Sequence, residues 1–215
     1  MEKLCLQGSK NRPAGWPGQA ISHSRLRNGI GDALLKIIML PGMDGTGVLF
    51  KELIACLPNG FDIEVVCLND LQGKSYASQT KEIAQRVGIR KLILVAESYS
   101  GRIAYELCGL LGNQIESLIF IASFITNPNP LTQIASLLPL WILKERFIPG
   151  QLLSYFCFSG YETEERIKLV RTALQSVSPK DIRQRLSNMA TLTSPERRFN
   201  TDAIYIRPTK DRLVC

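Results

Sequence analysis

Two serines, Ser98 and Ser100, stand in "LVAESYSGRIAYEL", residues 94–107, where an apolar run ends at Ala96 and a helical pattern begins at once. A serine hydroxyl is a weak nucleophile. To attack a carbonyl it needs exposure, a base to take its proton, and donors to hold the oxyanion that forms. A sharp strand-to-helix turn supplies the exposure, because it lifts the side chain out at the carboxyl end of a sheet, where α/β proteins bind ligands. Such a turn is crowded and needs small residues two before and two after the nucleophile. Around Ser98 those positions are Ala96 and Ser100, both small; around Ser100 they are Ser98 and Arg102, and the arginine does not fit. Ser98 is the better candidate nucleophile. The competing reading is a strand turning into a helix, with small residues there for packing alone.

Two further segments have the right character. "LPGMDGTG", residues 40–47, follows an apolar run and opens a helical pattern. In a serine acyl-transfer site the oxyanion is held by the backbone N–H after the nucleophile and by another from such a loop, which here are Tyr99 and Met43. Gly42, Gly45 and Gly47 also suggest a phosphate cradle, but the spacing is not G-x-G-x-x-G and no Gly-Lys-Ser/Thr follows. A tight strand-helix corner alone would also use such glycines. "YIRPTKDRLV", residues 205–214, places Asp211 just past a candidate strand, where a carboxylate can orient a histidine base or simply occupy a surface turn.

These segments need a frame. Short apolar runs at 34–40, 61–68, 91–96, 117–123 and 202–208 read as strands. Helical patterns lie at 48–57, 76–87 and 99–111. Strands alternating with helices at this spacing predict an α/β protein, a mostly parallel sheet with helices on both faces. The alternation stops between 125 and 200, which reads as helices only. Ser178 followed by Pro179, Lys180 and Asp181 is a helix start, and Thr163 with Glu164 and Glu165 is another. The expected organisation is a flexible segment over 1–33, a first core part over 34–124, a helical cap insertion over 125–200, and a returning strand over 201–215.

Composition excludes several classes. No apolar run reaches the ~18 residues of a membrane helix, and the N-terminus carries no apolar signal core. The net charge is +7, but the basic residues are scattered along the first segment and along helices, including Lys168, Arg171, Arg183 and Arg185. They are expected to be solvated helix faces rather than a nucleic-acid surface. The six cysteines form no C-x-x-C pair and mostly lie in apolar runs, which predicts buried free thiols and a reducing cytoplasm. No metal or cofactor motif is present, so none is expected.

Taken together, the three segments resemble the α/β-hydrolases of the esterase/lipase type. In particular they are similar to a bacterial group whose first strand ends in "LPG-x-DGTG" and whose acid lies in "YIR-x-x-x-DRLV". The resemblance covers roughly residues 34–215. It implies Ser98 as nucleophile, Asp211 as triad acid, Met43 and Tyr99 as oxyanion donors, and the insertion as a cap shaping an acyl pocket. The apolar residues Leu137, Leu138, Leu140, Trp141, Ile142 and Leu143 then suggest a small-molecule ester with a hydrophobic acyl group, or an interfacial face for lipid. In this family the histidine follows the acid after another strand, whereas the one histidine here is His23. The expectation is a C-terminally truncated hydrolase that lacks its last strand and helix, has impaired activity, and self-associates through the uncovered sheet edge. A non-catalytic binding protein on the same scaffold, and an acyltransferase using the same serine, are the alternatives.

Overall fold

The computed structural model describes residues 35–128 and 164–207, all within the unit Leu34–Cys215. The expectations for the first 33 residues, for the apolar stretch around Trp141, for the Thr163 cap and for Asp211 and His23 lie outside the described residues.

Five strands form one all-parallel sheet in the order β2-β1-β3-β4-β5. They are β1 (Lys36–Leu40), β2 (Asp62–Val65), β3 (Leu92–Glu97), β4 (Ile115–Ile121) and β5 (Ala203–Ile206). Each overlaps a run expected from the sequence, with β3 reaching one residue past its run and β4 starting two residues before it. The second is shorter than expected, because the chain turns into a 3-10 turn at Leu68–Asp70. The central strands have side chains buried on both faces: Ile38 and Leu40 join one core with Leu92, Leu94 and Ile103, while Ile37 and Met39 join a second with Phe50 and Val95. This is why β1 and β3 read as unbroken apolar runs rather than alternating ones.

The described helices are α1 (Lys51–Cys56), α2 (Tyr76–Val87), α3 (Gly101–Leu111), α4 (Glu164–Gln175) and α5 (Pro179–Ala190). Helix α2 starts at a capping box in which Ser75 Oγ accepts from the Ser78 amide. It buries Tyr76, Ile83 and Val87, spaced seven and four residues apart on the one face that the sequence pattern required. Helix α5 starts where Ser178-Pro179 placed it, with Ser178 Oγ accepting from the Asp181 amide at 3.1 Å. Helix α4 lies against the 3-10 turn Val48–Phe50 that follows β1.

Two sequence expectations are corrected. Arg185 is not on a solvated face: it is 2% exposed, because it shares the inward stripe of α5 with Leu186 and Met189. The cysteines are not uniformly buried either. Cys108 is buried and Cys67 half-buried, but Cys56 is exposed at the end of α1, a helix with no buried residue. No helix among the described residues is long and apolar enough to cross a membrane.

Candidate active site

Strand β3 ends at Glu97, and the next residue leaves the ordinary backbone region. Ser98 has φ +46°, left-handed and costly for a residue with a side chain. A 3-10 turn over Ser98–Ser100 then feeds α3. The turn can be this sharp because Gly101 lets α3 approach the end of β4. A Cβ at Gly101 would lie 2.5 Å from the Phe124 carbonyl oxygen. Ser123 Oγ donates to the Ser98 carbonyl at 2.9 Å and ties the turn to the same place.

The two serines have different surroundings. Ser100 is fully buried, and its hydroxyl donates to the Pro41 carbonyl. It anchors the start of α3 to the loop after β1. Ser98 remains partly exposed at the carboxyl end of the sheet. The loop 41–47 comes directly against it: a Cβ built on Gly42 would sit 3.4 Å from Ser98 Cβ and 3.5 Å from the Glu97 carboxyl carbon.

Loop 41–47 is internally braced. The Gly45 amide donates to the Gly42 carbonyl at 3.1 Å, closing a turn over the peptide that carries the Met43 N–H. The Asp44 carboxylate accepts from the Thr46 amide at 2.9 Å and from the Thr46 hydroxyl. The Gly45 carbonyl accepts from the Leu68 amide at 2.7 Å, which binds the loop to the segment after β2.

Tyr99, the residue after Ser98, turns its side chain inward and is fully buried. Its ring stacks on Tyr76 at 4.7 Å. Its hydroxyl donates to Gln79 at 3.2 Å and accepts from the Asn188 amide group at 2.9 Å. Burial pushes the phenol up to about 12, so it stays protonated and serves as a fixed anchor. The candidate donors Met43 and Tyr99 are thus both held near Ser98. Asp211 lies outside the described residues.

The electrostatics centre on Glu97, Asp44 and Arg185. Burial, reinforced by the Asp44 charge and opposed by a hydrogen bond from Gly42, pushes the Glu97 carboxyl up to about 7. Among the described residues its Oε2 has no hydrogen-bond partner. Desolvation also lowers the pKa of the Arg185 guanidinium. Sequence reasoning missed both roles. A cation on the apolar stripe of a helix, and a carboxylate as the last residue of a buried strand, were the available signals. Among the described residues no cluster of His, Cys, Asp and Glu is arranged to hold a metal.

The all-parallel sheet and its helices match known structures. The chain has the α/β-hydrolase fold. A hydrolase from Oleispira antarctica superposes with a TM-score of 0.65 at 14% identity, over 86% of this chain and 76% of that one. An α/β-hydrolase enzyme from a Medee basin deep-sea metagenome superposes with a TM-score of 0.62 at 13% identity, over 87% and 76%. A carboxylesterase of the thaumarchaeon Nitrososphaera gargenis gives a TM-score of 0.59 at 10% identity, over 75% and 65%. The chain spans 65% or 66% of the length of several such α/β-hydrolase-fold structures. No protein-family model matches the sequence, and no curated protein does.

Proposed function

We propose that this chain is a carboxylic ester hydrolase acting through an acyl-Ser98 intermediate. The observation that carries the reading is the contrast between the serines. Ser98 is held at φ +46° in the strand-to-helix turn against loop 41–47, while Ser100 is buried and engaged with Pro41. Strain of this kind persists only where the surroundings over-determine it, and it collects at functional sites.

In this reading Ser98 Oγ attacks the ester carbonyl carbon as a base removes its proton. The carbonyl oxygen becomes an oxyanion held by the Met43 and Tyr99 amides. The bond to the alcohol then breaks, and the alcohol leaves with the proton. Water repeats the sequence on the acyl-serine and releases the acid. Asp211 is assigned to orient the base. The substrate is a small ester with a hydrophobic acyl group, as the apolar residues 137–143 suggest.

His23, the one imidazole in this sequence, precedes Ser98 and lies in the N-terminal segment. An acyl-transfer site working without a base would retain only the roughly 10³–10⁴-fold advantage over water that an oxyanion hole and binding alone provide. The second reading is a non-catalytic binding protein on the same scaffold. Supplying the base from solution separates the two. Imidazole added to the chain with p-nitrophenyl butyrate should produce an increment in turnover that Ser98→Ala abolishes. Equal increments in both proteins would reject Ser98 as nucleophile and favour the binding reading.

A further inference from the structure

Arg185 of helix α5 lies 142 residues beyond Met43 in the chain, yet its side chain ends on the loop beside Ser98. The Arg185 guanidinium donates through Nη1 to the Met43 carbonyl at 2.6 Å and through Nη2 to Asn69 Oδ1 at 2.6 Å. The other end of that amide, Asn69 Nδ2, donates to the Asp44 carbonyl at 3.3 Å. A closed circuit therefore grips two successive carbonyls of the loop. The space for the cation exists because residue 45 is glycine. With φ +69°, Gly45 turns the chain around the guanidinium, and a Cβ there would lie 2.5 Å from Nη2. The guanidinium also sits over the Tyr99 ring, 5.9 Å from its centre, and Asn188, one turn further along α5, binds the Tyr99 hydroxyl.

We propose that Arg185 is a positioning residue for acyl transfer, fixing loop 41–47 so that the Met43 amide points at the oxyanion formed on Ser98. The inference rests on the hydrolase reading above. Burying a guanidinium is expensive unless its donors find acceptors. A helix that needed only to pack would carry an apolar residue here, as α5 does at Leu186 and Met189. Arginine supplies what those cannot, a rigid fork that reaches two acceptors at once. Lysine keeps the charge but not the fork. The same helix face thus holds both candidate oxyanion donors, Met43 through Arg185 and Tyr99 through Asn188.

The test uses the full chain and the variants Arg185→Lys, Arg185→Met and Asn69→Ala, the last leaving the arginine in place should its replacement prevent folding. Hydrogen exchange is read at the Gly45, Thr46 and Leu68 amides, whose hydrogen bonds brace the loop. All variants that fold should exchange at least tenfold faster there, with β3 and α2 unchanged. In imidazole-supported, Ser98-dependent turnover, kcat should fall ten- to a hundredfold with KM within about twofold, the pattern of a group acting in the transition state. Arg185→Lys should not rescue. Loop exchange and kcat within twofold of the parent would overturn the proposal, as would a uniform rise in exchange across the whole core. If the parent shows no Ser98-dependent turnover, the hydrolase reading fails, and the exchange result alone decides whether Arg185 holds the loop.

Discussion

Replacing Glu97 by glutamine should change how stability responds to pH, and the size of the change follows from where the carboxyl sits. Glu97 is the last residue of β3, and its side chain lies beneath Gly42, with Asp44 nearby. Burial and that neighbouring charge move it from an ordinary value of 4.5 to about 7. A carboxyl with a raised folded-state pKa binds its proton more tightly when folded. Its contribution to stability is therefore greatest below the unfolded value and is lost as pH rises through the window up to about 7. Integrating the linkage relation between pH 5 and pH 8 gives a loss of roughly 2–3 kcal/mol from this one group. Other groups titrate in the same interval, so the quantity to measure is a difference. Urea unfolding of the parent and of Glu97→Gln at pH 5, 6, 7 and 8 gives it directly. The variant should gain on the parent by roughly 2–3 kcal/mol across the series, most of it by pH 7.5. A difference that stays flat with pH would mean that Glu97 is solvated and ionised in the folded protein. Loop 41–47 would then not close over it as described.

The remaining predictions concern strain, anchoring and the sheet edge. Ser98→Gly should raise stability by roughly 1 kcal/mol in urea unfolding, because glycine adopts the left-handed conformation without penalty, while it removes any reaction at that position. Ser100→Ala should lower stability by about 1–3 kcal/mol, since it leaves the buried Pro41 carbonyl without its donor. Gly101→Ala should destabilise by about 2 kcal/mol or more, because the new methyl group meets backbone at the end of β4. Ile204, Tyr205 and Ile206 of edge strand β5 are 41–50% exposed, and an apolar edge invites pairing. Light scattering should show concentration-dependent association that Ile204→Lys reduces.

The sheet was legible because parallel strands buried on both faces leave continuous apolar runs, and those runs survive any detail of packing. The turn at Ser98 was legible because crowding restricts positions 96 and 100 to small residues. The roles of Arg185 and Glu97 were not, since each depends on a contact between distant segments. Arg185 looked like one more basic residue on a polar helix. Its position on the Leu186–Met189 stripe was visible, but what filled the space opposite was a glycine 140 residues earlier. Glu97 falls one residue past the expected strand end at Ala96, and Gly42 approaches its carboxyl from a distant loop. Local pattern reports which face is inward; it does not report what the inward group meets.

Ser98 is proposed as the reactive residue of an acyl-transfer site. Its most direct test is prolonged exposure of the chain to a fluorophosphonate, with imidazole present, followed by peptide mapping. One adduct is expected, on Ser98, forming slowly and faster than at any other serine. An adduct on Ser100, or modification spread evenly over the chain's serines, would contradict it.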